Sequence, residues 1–275
     1  MRIVTRTEEM IRTCRAISRS GERIGFVPTM GFLHTGHTSL MDLIRPRCHT
    51  LVVSIFVNPL QFGPTEDLDR YPRDPEGDAA RCLSHGTDLL FMPADFYPPE
   101  FHTHVRVNHV TRHLCGASRP GHFEGVATVV ARLFGVVRPH IAAFGEKDWQ
   151  QLTVIRSMVE DLAMDIEIVP GPTIREPDGL ALSSRNKYLS PQDRIRAVSL
   201  SRALRAMQAS SLSDVEALKA SVMPILEVDT LHYLEVVGDR DLEPLSVLDR
   251  PARALVAARV GSTRLIDNMP LAPRG

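Results

Sequence analysis

Apolar residues along this chain follow two spacings, and the two alternate. Short runs such as Leu51–Val57 are almost continuously apolar, which is typical of strands buried on both faces of a parallel sheet. Between such runs lie stretches such as Val126–Val137, whose apolar residues recur at helical spacing. The alternation predicts a Rossmann-like, doubly wound parallel α/β sheet with helices on both sides.

The same reading predicts where the individual elements lie. The predicted strands of the sheet are 23–27, 51–57, 88–92, 140–144 and 165–169. The predicted helices are 5–20, a segment around 40–44, 74–84, 126–137 and 149–161. In the first helix, Thr5 and Glu8 have the spacing of a capping box, so we expect the helix to begin there.

The pattern changes after Pro170, where proline and glycine punctuate a loop. Two helices are predicted near 191–209 and 213–226, followed by strands at 230–237 and 254–260. We therefore expect a Rossmann-like domain over residues 1–172. A smaller α+β domain is expected over residues 173–275.

Composition narrows the classes of protein that remain. The 275 residues carry 32 Lys+Arg against 33 Asp+Glu, without the basic excess that a nucleic-acid surface needs. The four cysteines form no CxxC pair, and no run of about 18 apolar residues occurs. Residues 1–13 have no apolar core of the kind a secretory signal contains. We expect a soluble, cytoplasmic protein that binds neither nucleic acid nor membranes.

Candidate chemistry follows three predicted strands. Ligands of open parallel sheets bind beyond the carboxyl ends of the strands. After the strand 23–27, the motif His34-Thr-Gly-His37 stands at the start of a helix, where backbone N–H groups favour an anion. Gly36 permits close approach of a phosphate, and two imidazoles can stabilise charge that develops on a bridging oxygen. The motif predicts nucleotidyl transfer, with helix capping by one histidine or zinc binding as alternatives.

Two further segments offer groups that suit phosphates. The chain has neither GxGxxG nor GxxxxGK[ST], so the two common glycine-rich nucleotide loops have no support in the sequence. Gly145-Glu-Lys-Asp148 lies between a strand and a helix and supplies a mobile cation, although an ordinary capped helix start is an alternative. Leu182-Ser-Ser-Arg-Asn186 supplies two hydroxyls and a guanidinium, or is a solvated loop.

Neutral amides mark a place for a small polar substrate. Asn58 and Gln61 close the apolar strand 51–57, and Gln151 follows the GEKD loop. Buried amides are costly unless they are hydrogen-bonded, so we expect each to have a ligand or a backbone partner.

Together these motifs resemble the pantoate:β-alanine ligase (pantothenate synthetase) family, within the HxGH nucleotidyltransferases. The resemblance runs nearly from end to end and rests on four stretches in the family's order: 28–37, 53–62, 144–148 and 182–189. It implies a C–N-forming ligase in pantothenate and coenzyme A biosynthesis. With ATP and Mg²⁺, such an enzyme condenses (R)-pantoate with β-alanine through a pantoyl adenylate, releasing AMP and pyrophosphate.

The resemblance also implies a homodimer whose smaller domain is a lid, and it assigns roles to residues. The implied catalytic residues are His34, His37, Lys147 and Arg185. The implied ATP-binding residues are Met30, Gly31, Phe32, Leu33, His34, Thr35, Gly36, His37, Gly145, Glu146, Lys147, Asp148, Ile174, Leu182, Ser183, Ser184 and Arg185. The implied substrate-binding residues are Asn58, Gln61, Tyr71, Arg119 and Gln151. Metal ligands are not assigned.

Two residues depart from the usual pattern of the family. Leu182 stands where Met is common, and Trp149 stands where Tyr is common; both are exchanges that a packed site tolerates. The alternative functions are another HxGH nucleotidyltransferase, a truncated aminoacyl-tRNA synthetase and a non-catalytic nucleotide sensor. The neutral charge opposes the synthetase, and retention of the histidines and of Arg185 opposes the sensor.

Overall fold

The computed structural model describes residues 1–64 and 66–274, which fold as two compact units. The first unit comprises Met1–Asn108, Arg119–Glu146 and Gln151–Pro172. The second comprises His109–Ser118, Lys147–Gln150 and the chain from Thr173 onward. The interpretation of residues 1–172 and 173–275 as two functional domains stays a prediction.

Six parallel strands form the sheet of the first unit, in the order β1-β4-β3-β2-β5-β6. The strands are β1 Arg2–Val4, β2 Ile24–Thr29, β3 Thr50–Ile55, β4 Leu89–Phe91, β5 Ile141–Gly145 and β6 Glu167–Gly171. From β2 the chain builds outward to β3 and β4, and it then returns to add β5 and β6 on the other side. The carboxyl ends of β2 and β5 therefore form the topological switch point, where such sheets bind ligands. The predicted fold class is confirmed.

Helices join the strands and also form part of the second unit. They are α1 Thr7–Arg19, α2 Thr35–Ile44, α3 Pro75–Ser84, α4 Cys115–Ser118, α5 His122–Val137, α6 Trp149–Asp161, α7 Pro191–Ala209 and α8 Val215–Val222. Short 3-10 turns lie at Arg45–Arg47, Pro59–Gln61, Glu146–Asp148, Ser184–Tyr188 and Met223–Ile225. No helix in the described parts of the chain is both long enough and apolar enough to cross a membrane.

The core of the first unit explains why β3 reads as a continuous apolar run. Leu51, Val52 and Val53 are fully buried, as are Met41 and Ile44 of α2. Since β3 lies inside the sheet, between β2 and β4, both of its faces are covered.

The predicted start of the first helix was wrong. The N-cap is Arg6, in an extended conformation and without a side-chain cap, so Thr5 and Glu8 do not form a capping box. The N–H of Thr7 instead donates to Asp95 Oδ1 at 3.1 Å. The cap thus comes from a residue distant in sequence, which a local motif search does not consider.

The second unit has an antiparallel sheet in the order β7-β8-β9, which confirms the expected α+β character. Its strands are β7 Thr230–Gly238, β8 Ala252–Val260 and β9 Thr263–Leu271. The sequence did not predict β9, because its buried positions include Asp267 and Asn268. Asp267 accepts hydrogen bonds from two nitrogens of Arg175 at 2.7 and 2.8 Å, which offset the cost of burying its charge.

Candidate active site

A strained loop connects β2 to α2. Gly31 has φ +83°, and Phe32 follows with φ +51°, a left-handed conformation that is unfavourable for a bulky residue. A Cβ on Gly31 would lie 2.9 Å from Ile55 Cγ2, so glycine is required there by space as well as by conformation. Such a loop keeps its shape only if surrounding groups hold it.

Asp78 of α3 holds this loop. Its Oδ2 accepts the N–H of Phe32 and its Oδ1 accepts the N–H of Leu33, each at 2.7 Å. The residue is 1% exposed, and desolvation raises the pKa of its carboxyl while the two N–H donors oppose that rise. Asp78 was not among the site residues predicted from the sequence. The sequence feature that could have identified it is a charged residue on the same helical face as Cys82, because that face packs inward.

His34 and His37 cap α2 together. His34 is the N-cap, and its Nδ1 accepts the N–H of Gly36 at 3.1 Å. The Nδ1 of His37 accepts the N–H of His34 at 3.3 Å, and the two ring centroids lie 4.1 Å apart. An Nδ1 that accepts a hydrogen bond carries no proton, so each neutral ring bears its proton on Nε2. The capping alternative and the catalytic reading are therefore compatible, because the cap fixes the tautomer.

The surroundings of this helix start favour an anion. The first turn of α2 has no acidic residue to offset the positive end of its dipole. Strands β2 and β5 pair at Gly25–Ile141 and Phe26–Ala142, and both strands continue beyond these pairs. The loop after β2 and residues Gly145 and Glu146 after β5 thus follow neighbouring strands at the switch point.

Asn58 and Gln61 form a buried amide pair after β3. Asn58 is 1% exposed and Gln61 is 8% exposed. Asn58 Nδ2 donates to Gln61 Oε1 at 3.0 Å and to the carbonyl of Gly125 at 3.1 Å. Its Oδ1 accepts from Leu60 N at 3.3 Å and from the Tyr97 hydroxyl at 2.9 Å. All four hydrogen-bonding positions of Asn58 are filled, which suits a residue that positions Gln61.

Arg119 joins this region through a network of charged groups. Its Nε and Nη2 donate to the two oxygens of Glu66 at 2.7 and 2.6 Å. Its Nη1 lies 2.9 Å from His122 Nε2, and His122 Nδ1 lies 2.8 Å from the carbonyl of Gln61. Burial by itself raises the pKa of Glu66, but the hydrogen bond and the charge of Arg119 bring it below its ordinary value. The guanidinium is thus already paired beside the Gln61 backbone.

Two more of the predicted substrate residues lie in the first unit. Tyr71 is 6% exposed, and its ring packs edge-on against Phe62 with the centroids 6.0 Å apart. Gln151 is half-buried in the first turn of α6.

In the second unit, the predicted segment around Lys147 is fixed by two contacts. Asn268 Nδ2 donates to the carbonyl of Lys147 at 2.8 Å, and Lys147 Nζ lies 3.7 Å from Asp148 Oδ2. The guanidinium of Arg253 lies 3.3 Å from the centroid of the Trp149 ring. The indole N–H of Trp149 donates to the carbonyl of Asp239 at 3.2 Å, so the tryptophan adds a bond within its own unit.

The segment Leu182–Arg185 is also ordered within the second unit. Leu182 N donates to the carbonyl of Ile174 at 3.0 Å, which brings together two of the predicted ATP-binding positions. The hydroxyl of Ser183 accepts from Arg185 N at 3.3 Å and caps the turn Ser184–Tyr188. The segment therefore leads into a capped turn.

No cluster of three or more histidine, cysteine, aspartate or glutamate side chains suited to a metal ion occurs among residues 1–64 and 66–274.

Comparison with known proteins shows close relatives. The family model described as Pantoate-beta-alanine ligase matches residues 2–270. The chain is 54% identical to a pantothenate synthetase of Myxococcus xanthus over 93% of this chain and 91% of the relative. It is 51% identical to pantothenate synthetase 1 of Bradyrhizobium diazoefficiens over 98% of both chains.

Solved structures give the same result. A pantothenate synthetase from Thermus thermophilus has TM-score 0.94 and 49% identity, covering 99% of this chain and 100% of that chain. A pantoate-beta-alanine ligase from Francisella tularensis, complexed with beta-gamma ATP and beta-alanine, has TM-score 0.82 and 34% identity, covering 98% and 97%.

Proposed function

The chain belongs to the pantoate-beta-alanine ligase family, and we propose that it performs the family's reaction with the histidine loop and the amide pair of its first unit. It is an ATP-dependent ligase that joins pantoate to β-alanine and forms pantothenate. The observation that carries the site assignment is the reciprocal cap of His34 and His37 at the switch point, because it leaves both rings with the proton on Nε2.

The first step of the proposed reaction is adenylation. A carboxylate oxygen of pantoate attacks the α-phosphorus of ATP, the bond to the bridging oxygen breaks, and pyrophosphate leaves. Positioning and charge stabilisation supply most of the catalysis in such transfers. The Nε2–H groups of His34 and His37 and the start of α2 are suited to charge that develops on the leaving oxygen.

The second step is amide formation. The uncharged amine of β-alanine attacks the acyl carbon of pantoyl adenylate, loses a proton and displaces AMP. The adenylate must be kept from water in the meantime. The proposal includes a lid role for residues 173–275, of which Ser183, Ser184 and Arg185 carry hydroxyl and guanidinium donors.

The residues proposed to bind ATP are those that the family resemblance implies: Met30 to His37, Gly145 to Asp148, Ile174 and Leu182 to Arg185. Gln61 and Gln151 are proposed to hold pantoate, and Tyr71 is proposed to line the pantoate pocket. The contacts of Asn58 and Arg119 favour roles in positioning Gln61.

Mg²⁺ is part of the proposal as an ion carried by ATP. The ion would be held largely by phosphate oxygens and water, as Mg²⁺ often is in nucleotide sites. A cytoplasmic location and a homodimer complete the proposal, both from the family resemblance.

The experiment is a substrate-dependence assay. Purified protein is incubated with ATP, Mg²⁺ and pantoate, with and without β-alanine, while pyrophosphate, AMP and pantothenate are followed. We expect all three products in the complete mixture. Pyrophosphate released with other carboxylic acids, but not with pantoate, would instead favour another HxGH nucleotidyltransferase.

A further inference from the structure

Two backbone groups of fixed polarity set the orientation of the Asn58 amide. The carbonyl of Gly125 can only accept a hydrogen bond, and it faces Asn58 Nδ2 at 3.1 Å. The N–H of Leu60 can only donate, and it faces Asn58 Oδ1 at 3.3 Å. The two ends of the amide cannot be exchanged without placing like groups against each other.

The orientation of the Asn58 amide determines the orientation of the Gln61 amide. The second N–H of Asn58 Nδ2 donates to Gln61 Oε1 at 3.0 Å, so the carbonyl end of Gln61 faces Asn58. The opposite end, Nε2, lies 3.1 Å from Met30 Sδ, a weak acceptor in the loop that leads to His34. Gln61 therefore offers an N–H donor beside the histidine loop.

Tyr97, which packs in a cluster of aromatic rings, is the second group that donates to the Asn58 carbonyl. Its hydroxyl lies 2.9 Å from Asn58 Oδ1 and must be the donor, because Oδ1 can only accept. The Tyr97 ring packs against the rings of Phe96 and Phe101, with centroid distances of 5.1 and 4.7 Å. The guanidinium of Arg132 lies 6.0 Å from the centroid of the Tyr97 ring. Burial raises the pKa of the hydroxyl and the charge of Arg132 opposes the rise, so the proton stays on the oxygen at neutral pH.

We propose that Tyr97 is a positioning residue that acts through Asn58 to present the N–H end of Gln61 to the acid substrate. The inference rests on the proposed role of Gln61 in holding pantoate. It adds a reason for selectivity: a carboxylate or hydroxyl oxygen can accept from Gln61 Nε2, whereas a group that can only donate finds no acceptor there.

The first test removes only the hydroxyl. Tyr97→Phe keeps the ring and its packing but leaves Asn58 Oδ1 with one donor. We expect KM for pantoate to rise about 3- to 10-fold, the range that one hydrogen bond accounts for, with KM for ATP unchanged. Phe101→Leu is the matched control, since it disturbs the same aromatic cluster without touching Asn58. It is expected to lower the midpoint of thermal unfolding and leave KM for pantoate unchanged.

The second test reverses the polarity. In Asn58→Asp, an ionised carboxylate of nearly the same shape faces Gln61 and can only accept. The Gln61 amide must then turn its Nε2 toward residue 58 and its carbonyl toward the substrate. We expect a larger rise in KM for pantoate than in Tyr97→Phe. Equilibrium binding of ATP should be retained, which shows that the variant is folded.

Gln61→Ala distinguishes the proposed role of Gln61 in holding pantoate from the relay, the chain of hydrogen bonds that runs from Tyr97 through Asn58 to Gln61. If it raises KM for pantoate while Tyr97→Phe and Asn58→Asp behave like Phe101→Leu, the relay is overturned and the role of Gln61 stands. If Gln61→Ala itself leaves KM for pantoate unchanged, the role of Gln61 fails and the relay fails with it. A rise in all three variants, absent in Phe101→Leu, supports both.

Discussion

The Nδ1 atom of His37 accepts the backbone N–H of His34 at 3.3 Å, so the second histidine of the motif closes a cap that begins with the first. Nδ1 of the His37 ring thereby takes part in the fold, and Nε2 is the nitrogen to which we assign the proposed catalytic role. A structural role and a catalytic role can consequently be separated by substitution.

Substitutions at His37 should distinguish its two nitrogens. The amide oxygen of His37→Asn can replace Nδ1 as the acceptor, whereas the amide nitrogen of His37→Gln reaches the place of Nε2. We expect His37→Asn to fold normally and to lose about 10²- to 10³-fold in kcat, the usual cost of removing a donor to a developing charge. His37→Gln should retain more activity. Equal kcat values for the two variants, at equal thermal stability, would argue against a role for the Nε2–H.

Asp78→Asn should weaken the loop between β2 and α2. The amide retains one acceptor oxygen but places an NH₂ group against a backbone N–H, so either Phe32 or Leu33 loses its partner. A hydrogen bond to a charged group contributes about 1.5–3 kcal/mol, which predicts a fall of about 10- to 100-fold in kcat/KM for ATP. Steady-state kinetics with varied ATP measures it.

Asp74→Asn is the control for that variant. Asp74 caps the same helix, α3, by accepting the N–H of Gly77 at 3.1 Å. Since Asn is also a good N-cap, stability should change little and kcat/KM for ATP should stay at the wild-type value. A loss of kcat/KM in Asp74→Asn as large as that in Asp78→Asn would show that the effect belongs to α3 as a whole.

Gly125→Ala should displace the turn that carries Gln61. An added Cβ would overlap the Leu60 carbonyl and lie 2.6 Å from Gln61 N. We expect a loss of about 1–3 kcal/mol in the free energy of unfolding and a higher KM for pantoate. Gly135 lies in the same helix with nothing within 4 Å of its added Cβ. Gly135→Ala should therefore be neutral or stabilise by up to about 1 kcal/mol, and the opposite order of the two variants would contradict this packing.

The free energy of unfolding at acidic pH should depend on Glu66. The pKa of Glu66 is lowered from 4.5 in the folded protein, so its contribution is present above that value and is lost as pH falls through the folded pKa. Glu66→Gln has no such titration. As pH falls below 4.5, the wild type should lose unfolding free energy relative to Glu66→Gln. Denaturant unfolding of both proteins across the acidic range measures this, and parallel curves would exclude the effect.

The fold could be predicted where the buried residues of an element form a regular apolar pattern in the sequence. The apolar run of β3 and the helical spacing in 126–137 both place their residues in the core, and these elements were found within a few residues. Strand β1 has only three residues, too few for a pattern. Strand β9 buries Asp267 and Asn268, whose partners lie elsewhere in the chain, so its pattern reads as polar.

The site could be predicted only in part, for a related reason. The HxGH loop and Gln61 were proposed from motifs of residues that lie close together in the sequence, and their roles stay predictions. Asp78 acts on Leu33 from 45 residues away, and Tyr97 acts on Asn58 from 39 residues away. Each is an ordinary residue in sequence, and only the fold shows which backbone or side chain it holds.

The fate of the pantoate carboxylate oxygens shows whether an acyl adenylate forms. Pantoate labelled with ¹⁸O in its carboxylate is converted with ATP and β-alanine, and the AMP is examined by mass spectrometry. If the chain forms an acyl adenylate, one labelled oxygen stays on the phosphorus when the amine displaces AMP, so each AMP carries one ¹⁸O. Unlabelled AMP, or ¹⁸O in inorganic phosphate, would contradict attack at the α-phosphorus.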